Sequence, residues 1–365
     1  MLRISAVVCR NLVHWRCAAV MAVLPRSFGA GGSAAILCGV RDIEAERAKE
    51  DQCNLSEIMV KRLATLVGCN YTNTPNQLNG CINDVEAVQA VLIDRFGFQS
   101  TGIKLLTDAP NSSIKPTGEN IKRELRNMIN VAKQGDLLFF YFSGHGTLIS
   151  STDDAIVPCD FNLITDVDFR VLVNRLPEGA IFTIFSDSCH SGGLIDKEKE
   201  QIGPHSSDRE LRPENVPNAR QKLIPISSII NSLRSISGRS SDEPVSAHLT
   251  AAFGNEASAK YLPQSFQSHE LKPLGPDNGI LLSGCQKDEV SLDIPRCDGS
   301  KAYGAFTYDV LQVLKVHRGP ISNRDLVIRV REKLREKRHK QHPCLYCSDK
   351  NAKLPLLLET ARSSE

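Results

Sequence analysis

Residues 137–146 read LLFFYFSGHG and residues 181–193 read IFTIFSDSCHSGG, and these two segments decide the fold. Each begins with a continuous apolar run, at 137–142 and at 181–185, as in strands that are covered on both faces of a parallel sheet. Each run then gives way to a short polar stretch that contains glycine. Because open parallel sheets carry their sites beyond the carboxyl ends of the strands, these polar stretches are expected at the functional edge.

The rest of the chain alternates between buried-type strands and amphipathic helices. Apolar runs predict further strands at 63–69, 103–106, 280–285 and 354–358. Helical spacing predicts a helix capped by Asn83 and further helices at 117–132, 166–174, 305–316 and 322–337. This alternation is typical of an α/β fold in which three α/β/α layers contain a mostly parallel central sheet.

A long stretch rich in Ser, Pro, Asn and charged residues interrupts the pattern between about 197 and 276. It contains one apolar patch, at 223–233. We therefore expect four parts, which are an N-terminal extension at 1–58, a large first part at 59–203, an irregular linker at 204–276 and a smaller second part at 277–365.

The N-terminal extension differs in charge from the rest, because its first 41 residues contain five arginines and no lysine or acidic residue. The pattern fits an organelle transit peptide, a secretory signal with a short apolar core at 17–24, or an upstream extension of a reading frame that starts at Met59. No apolar run in the chain approaches the ~18 residues of a membrane helix. We exclude the segment from the fold and expect no membrane partner.

The composition excludes a nucleic-acid binder driven by bulk charge, since 44 basic residues balance 42 acidic ones for a net charge of +2. Twelve cysteines are scattered along the chain, and they do not form a dense disulfide framework. We expect a reducing compartment, the cytoplasm, with one or two functional thiols. Organelle targeting or secretion is the alternative if residues 1–58 belong to the mature protein.

The strand ends at SGHG and SDSCHSGG carry the chemistry. If the two strands are neighbours, His145 and Cys189 emerge side by side, as a thiol nucleophile and its general base require. Gly146 lets backbone approach a substrate carbonyl, and the amides of Gly146 and Cys189 are candidates for an oxyanion hole. An isolated His or Cys at a strand end would be structural, but the paired motifs favour catalysis.

The amino-acid sequence around these motifs resembles that of the plant type II metacaspases, which are caspase-like peptidases. The compact spacing resembles the members of that group with a short linker. The matching strings include KRLATLVGCNY at 61–71, GCINDV at 80–85, AIVPCDFNLITD at 155–166, GILLSGCQ at 279–286, KAYGAFTY at 301–308 and HPCLYCSD at 342–349. The resemblance implies a caspase–haemoglobinase fold with p20-like and p10-like parts. It also implies a monomeric cysteine endopeptidase that cuts proteins and peptides after Arg or Lys, with a role in programmed cell death or stress.

A pocket for a basic side chain must offer carboxylates, because burial of an unpaired cation is costly. Asp187 lies two residues before Cys189, so on an extended strand its side chain shares the nucleophile's face. By resemblance, Asp84 meets Asp187 in this S1 pocket, with Cys81 and Ser143 as further wall residues. Taken alone, the two aspartates would be a turn cap and a helix-dipole partner.

Self-cleavage is expected in the linker, where an extended backbone can enter a protease cleft. The candidate residues are Arg209, Arg212, Arg220 and Lys222. Lys222 ranks first because it directly precedes the apolar patch, and Arg220 ranks second.

Calcium is the one cofactor that the resemblance suggests. By motif position in calcium-dependent relatives, the candidate ligands are Asp153, Asp166 and Asp196. The middle residue of the familiar acidic triplet is Val167, however, and valine offers no oxygen to a cation that takes six or more. We therefore expect no metal and no cofactor, and activity that survives a chelator.

Two alternatives remain beside the endopeptidase. One is a thiol redox protein that uses Cys189 or the CxxC residues Cys344 and Cys347. These two cysteines also fit an accessory thiol pair or half a zinc site, although no second CxxC exists. A caspase-like scaffold that binds without cleavage is the non-enzymatic reading. The basic run at 333–340 is interpreted as a solvated helix face.

Overall fold

A computed structural model of the chain describes residues 60–150, 153–189, 194, 200–203, 218–263, 279–286, 289–295 and 301–359. The predictions for residues 1–58, and those for Asp196, Arg209 and Arg212, lie outside the described residues. Among the residues that are described, no helix is both long enough and apolar enough to cross a membrane.

The strands are β1 Arg62–Gly68, β2 Ile103–Thr107, β3 Leu137–Ser143, β4 Gly146–Leu148, β5 Asp154–Ile156, β6 Ile164–Thr165, β7 Ile181–Asp187, β8 Glu200–Ile202, β9 Arg220–Gln221, β10 Ile280–Ser283, β11 Leu292–Ile294, β12 Tyr303–Gly304 and β13 Cys344–Tyr346. The α-helices are α1 Cys81–Asp94, α2 Gly118–Asn130, α3 Asp166–Val173, α4 Ile226–Ser237, α5 Val245–Phe253, α6 Ala305–Val316, α7 Asn323–Glu336 and α8 Asp349–Lys353.

The central sheet has seven strands in the order β2-β1-β3-β7-β10-β13-β8. The strands from β2 to β10 are parallel, and β13 runs antiparallel to both β10 and β8. One hydrophobic cluster packs α2, α3, α4 and α5 on one face, and a second cluster packs α1, α6 and α7 on the other. The predicted three-layer α/β architecture with a mostly parallel sheet is confirmed.

Strand β3 shows why a continuous apolar run marks this position. All seven of its residues are buried. Phe140 and Phe142 belong to one cluster, whereas Phe139 and Tyr141 belong to the other, so alternate side chains fill the cores on both faces.

The first helix begins earlier than predicted. Asn83 is not its N-cap, because α1 starts at Cys81 and no side chain caps it. The backbone amides of Asn79 and Gly80 instead donate to the carboxylate of Asp293, at 2.8 Å each. A contact with a residue more than 200 positions away therefore determines where this helix starts.

Two further expectations differ from the structure. The linker is not irregular throughout, because α4 and α5 occupy much of its described part, and buried Ile229, Leu233 and Leu249 anchor them to the core. The predicted last strand at 354–358 is a short 3₁₀ turn, Leu356–Leu358, in which Leu357 has φ 49°. An apolar run of this length does not distinguish a strand from a buried turn.

Candidate active site

The two motif-bearing strands are neighbours. β3 pairs in parallel with β7, and Ser143 lies opposite Asp187 at their carboxyl ends. His145 and Cys189 follow directly, and both are buried. The structure thus brings the two predicted reactive residues to the same edge of the sheet.

Residues 220–224 of the linker cross this edge as an extended segment. The carbonyl oxygen of Lys222 accepts hydrogen bonds from the backbone amides of Gly146, at 3.0 Å, and of Cys189, at 3.3 Å. The amide of Lys222 donates to Ser291 O at 2.9 Å, and the amide of Ile224 donates to Gly146 O at 3.1 Å. The chain is therefore held on both sides of the Lys222 carbonyl group.

Gly146 is required by this close approach. A Cβ atom at this position would lie 1.7 Å from the carbonyl oxygen of Cys189. Any side chain would push apart the two amides that meet on the Lys222 oxygen.

The ring of His145 is held by its surroundings. Its Nε2 lies 2.7 Å from the carbonyl oxygen of Asn76, and the ring packs against that of Tyr71 with 4.7 Å between centroids. With Nε2 donating its proton to Asn76, the lone pair is on Nδ1, a buried atom that has no hydrogen-bond partner among the described residues. Burial lowers the pKa of His145 to about 4; the hydrogen bond to the backbone of Asn76 opposes this shift, and the nearby positive charge of Lys222 adds to it.

The thiol of Cys189 has one close backbone donor. The amide of Ser291, just before β11, donates to its sulfur at 3.1 Å. The thiol in turn lies 3.8 Å from the carbonyl oxygen of Ser291, so both backbone polar groups of Ser291 contact the sulfur.

The side chain of Lys222 is completely buried in what we term the Lys222 pocket, formed by Asp84, Ser143, Asp187 and Gly304. Its Nζ lies 3.1 Å from Asp187 Oδ1 and 3.5 Å from Asp84 Oδ2, and it donates to Ser143 Oγ at 2.9 Å. All three of these acceptors were singled out in the sequence, and the structure brings them together around one cation.

The charges of this pocket depend on one another. Burial acts to lower the pKa of Lys222, but the carboxylates around it, led by Asp187, raise it above its ordinary value. Burial also raises the pKa of Asp84, and the negative charge of Asp187 adds to this effect. The predicted wall residue Cys81 is buried nearby, and desolvation raises the pKa of its thiol while Lys222 lowers it.

Three pocket residues were missed in the sequence. The amide of Gly304 donates to both carboxylate oxygens of Asp84 at 3.0 Å. The amide and hydroxyl of Thr307 donate to Asp187 Oδ2 at 3.0 and 2.6 Å. Asp293 adds a buried carboxylate close enough to raise the pKa of Lys222. The string KAYGAFTY contained the first two, but nothing in its pattern pointed to a pocket.

Arg220, the second self-cleavage candidate, is not in the pocket. It is exposed, and its guanidinium donates to the carbonyl oxygen of Gln77. The two basic residues of this segment therefore have different environments, and only Lys222 meets the carboxylates.

The calcium candidates that can be located do not fit a divalent cation. Asp153 Oδ1 lies 2.7 Å from the ammonium group of Lys260, and Asp166 Oδ2 lies 3.4 Å from Arg170. In the part of the chain that the structure describes, no three His, Cys, Asp or Glu side chains are grouped as a metal would require. Calcium takes six to eight oxygen ligands, which this arrangement does not supply.

The CxxC residues do not form a pair. Cys344 packs in the cluster on one face of the central sheet, and Cys347 packs in the cluster on the other face. The two sulfurs therefore lie on opposite sides of β13, so neither a redox couple nor a shared zinc site fits them.

Comparisons with known proteins agree with this geometry. The family model described as Caspase domain matches residues 61–355. Metacaspase-9 of Arabidopsis thaliana is 48% identical over 311 residues, which cover 80% of this chain and 95% of that protein. Metacaspase-6 of the same plant is 36% identical, with 78% of this chain and 96% of that protein covered.

A solved structure supports the fold alone. The crystal structure of protein GSU0716 from Geobacter sulfurreducens superposes with a TM-score of 0.55 at 20% identity, over 82% of this chain and 99% of that one. Together with the family match over most of its length, these findings make the chain a plant metacaspase, a cysteine peptidase of the caspase-domain family.

Proposed function

We propose that the protein is a cysteine endopeptidase that cuts after Lys or Arg and that matures by cutting its own Lys222–Leu223 bond. One observation carries the proposal. Lys222 is fully buried between Asp187 and Asp84, while its carbonyl oxygen accepts the amides of Gly146 and Cys189. The side chain has the environment of a bound P1 residue, and the carbonyl has that of a scissile bond.

In the proposed reaction, Cys189 is the nucleophile and His145 is the general base. The thiol gives its proton to Nδ1 of the neutral imidazole, and the thiolate attacks the carbonyl carbon of Lys222. The negative charge that develops on the carbonyl oxygen is stabilised by the two amides already bonded to it, and loss of one such donor typically costs about 10²–10³ in rate. Protonated His145 then gives its proton to the leaving amine of Leu223, and water hydrolyses the thioester.

The specificity follows from the Lys222 pocket. Its two carboxylates are desolvated, so a neutral side chain in the pocket would leave them unpaired and an acidic one would repel them. Lysine supplies one ammonium group to both, and the longer arginine supplies a fork of donors for the same acceptors. The buried carboxylate of Asp293 strengthens the preference for a cation.

The uncut chain is a zymogen in this proposal. Residues 220–224 occupy the cleft through main-chain hydrogen bonds on both sides of Lys222, so another peptide can enter only when they leave. Cleavage after Lys222 separates a p20-like part from a second part that begins at Leu223 and includes α4 and α5. The type II subtype, the monomeric state, the cytoplasmic location and the role in cell death stay predictions from the resemblance.

The deciding experiment follows self-cleavage of the purified full chain. N-terminal sequencing of the smaller fragment is expected to read LIPISS, from Leu223. Cys189→Ala and His145→Ala are each expected to slow this cleavage by at least about 10³-fold while the far-UV circular dichroism stays unchanged.

Matched substitutions in the linker complete the experiment. Lys222→Arg should still be cut at the same bond, Lys222→Gln should not, and Arg220→Gln should be cut as in the parent. Processing of Cys189→Ala at the parental rate, or a fragment that starts at Gln221, would contradict the proposal.

A further inference from the structure

A second lysine of the linker lies in a second acidic site, away from the cleft. The ammonium group of Lys260 lies 2.7 Å from Asp153 Oδ1, and the hydroxyl of Ser150 donates to the other oxygen of that carboxylate at 2.7 Å. Asp166, at the start of α3, is the next carboxylate. Burial raises its pKa, and the charge of Lys260 is the largest effect that opposes this rise.

Asp153 and Asp166 are two of the candidate calcium ligands from the sequence analysis. The cation that lies beside them is the ammonium group of Lys260, a residue of the same chain. An ammonium group at hydrogen-bonding distance from Asp153 occupies the space in which a metal ion would coordinate that oxygen. Its positive charge also repels a divalent cation and neutralises part of the field that would attract one.

The neighbours of Lys260 hold this segment against the large first part of the chain, residues 59–203. The carboxylate of Asp168 accepts from Ser258 Oγ at 2.6 Å and from the amide of Ala259 at 2.9 Å. On α2, the ammonium group of Lys122 donates to the carbonyl oxygen of Ala257 at 3.0 Å. The position of Lys260 is therefore set by several contacts with α2 and α3, in addition to its own ion pair.

We infer that Lys260 is a built-in cation that takes the place of calcium and fastens residues 256–261 of the linker to the acidic surface formed by Asp153 and Asp166. Cleavage after Lys222 would place Asp153 and Lys260 on different fragments. The ion pair then becomes a contact between the two parts of the processed protein. This inference concerns a surface outside the cleft and does not depend on peptidase activity.

The test measures thermal unfolding of the full chain in a Cys189→Ala background, so that every sample stays uncut whatever the enzyme does. In EGTA, Lys260→Ala is expected to lower Tm by about 1–2 °C, the small shift that loss of one partly exposed ion pair gives in a chain of this length. Millimolar CaCl₂ is expected to restore part of that loss, because Asp153 has then lost the ammonium group beside it, while Asp166 keeps Arg170 at 3.4 Å. The parent Tm is expected to be the same in EGTA and in CaCl₂.

Two variants serve as controls. Lys260→Arg keeps the charge and is expected to behave as the parent. Lys301→Ala removes an exposed lysine that pairs with Glu86 at 2.8 Å, and it should gain no response to calcium. A parent whose Tm rises with calcium as much as that of Lys260→Ala would overturn the inference. So would a Lys260→Ala protein that matches the parent in EGTA, or one whose loss calcium does not restore.

Discussion

Lys222 and Lys260 belong to the same linker, and each places its ammonium group against aspartates of the large first part of the chain, residues 59–203. The side chain of Lys222 is 0% exposed, and its partners Asp187 and Asp84 are 0% and 2% exposed. The side chain of Lys260 is 23% exposed, and that of Asp153 is 29% exposed. The residue types are the same in both sites, but water reaches only the second.

This difference in burial decides what each lysine can do. Water screens the partly exposed pair of Lys260 and Asp153, and such a pair typically contributes only about 0–1 kcal/mol to stability. Removal of one partner from a fully buried pair leaves an uncompensated charge and costs about 3–5 kcal/mol. In the proposed peptidase, the same cost of an unpaired buried charge would make the Lys222 pocket selective for a basic side chain of the substrate.

The largest expected effect comes from the two carboxylates that face these lysines. In the uncut Cys189→Ala chain, Asp187→Asn is expected to lower the free energy of unfolding by about 3 kcal/mol, because the buried ammonium group of Lys222 then loses the nearer of these two carboxylates and keeps Asp84 at 3.5 Å. Asp153→Asn should lower it by no more than about 1 kcal/mol. Chemical denaturation of both variants and of the parent gives the three free energies of unfolding. Equal losses in the two variants would contradict the difference in burial on which the comparison of the two sites depends.

A smaller effect is expected from steric closure of the buried site. A Cβ atom on Gly304 would lie 2.2 Å from Asp187 Oδ2 and 2.4 Å from Lys222 Nζ. Gly304→Ala should therefore slow self-cleavage after Lys222 by about 10–100-fold, which corresponds to about 1–3 kcal/mol of overpacking.

The matched control for this substitution is Gly319→Ala, since a Cβ at Gly319 meets no atom within 4 Å. The first-order rate of fragment appearance gives both values. If the two variants are cut at the same rate, Gly304 does not form a wall of the pocket.

The smallest expected effect is the change in the rate of self-cleavage between pH 7 and pH 5. Because burial lowers the pKa of His145 to about 4, the imidazole stays neutral at pH 5, where an ordinary histidine would be mostly protonated. The rate of self-cleavage should therefore fall by less than about twofold between pH 7 and pH 5 and decline steeply only as the pH passes through about 4. A pH–rate profile whose acid limb has its midpoint near 6.5 would show that the ring is not desolvated during the reaction.

Much of the framework could be predicted from local pattern. The runs at 137–142 and 181–185 are apolar because these strands are covered on both faces, and β3 and β7 are indeed neighbours in the middle of the sheet. The helix after Thr117 also has a local signal, since its hydroxyl accepts from the amide of Asn120 at 3.2 Å. The start of α1 and the turn at Leu356–Leu358 were predicted incorrectly because contacts from distant residues override local propensity at both places.

The sequence by itself determined that His145, Cys189 and Asp187 stand at the ends of buried strands, because strand periodicity and the burial of apolar runs are local properties. Only the tertiary structure decided which basic residue meets the carboxylates and which cation meets Asp153. Lys222 is 138 positions from Asp84 and only two from Arg220, so no spacing rule separates the two candidates. The backbone groups that bond to residues 220–224 lie next to β3, β7 and β11. They come close enough to bind one segment only when long-range packing has brought these strands together.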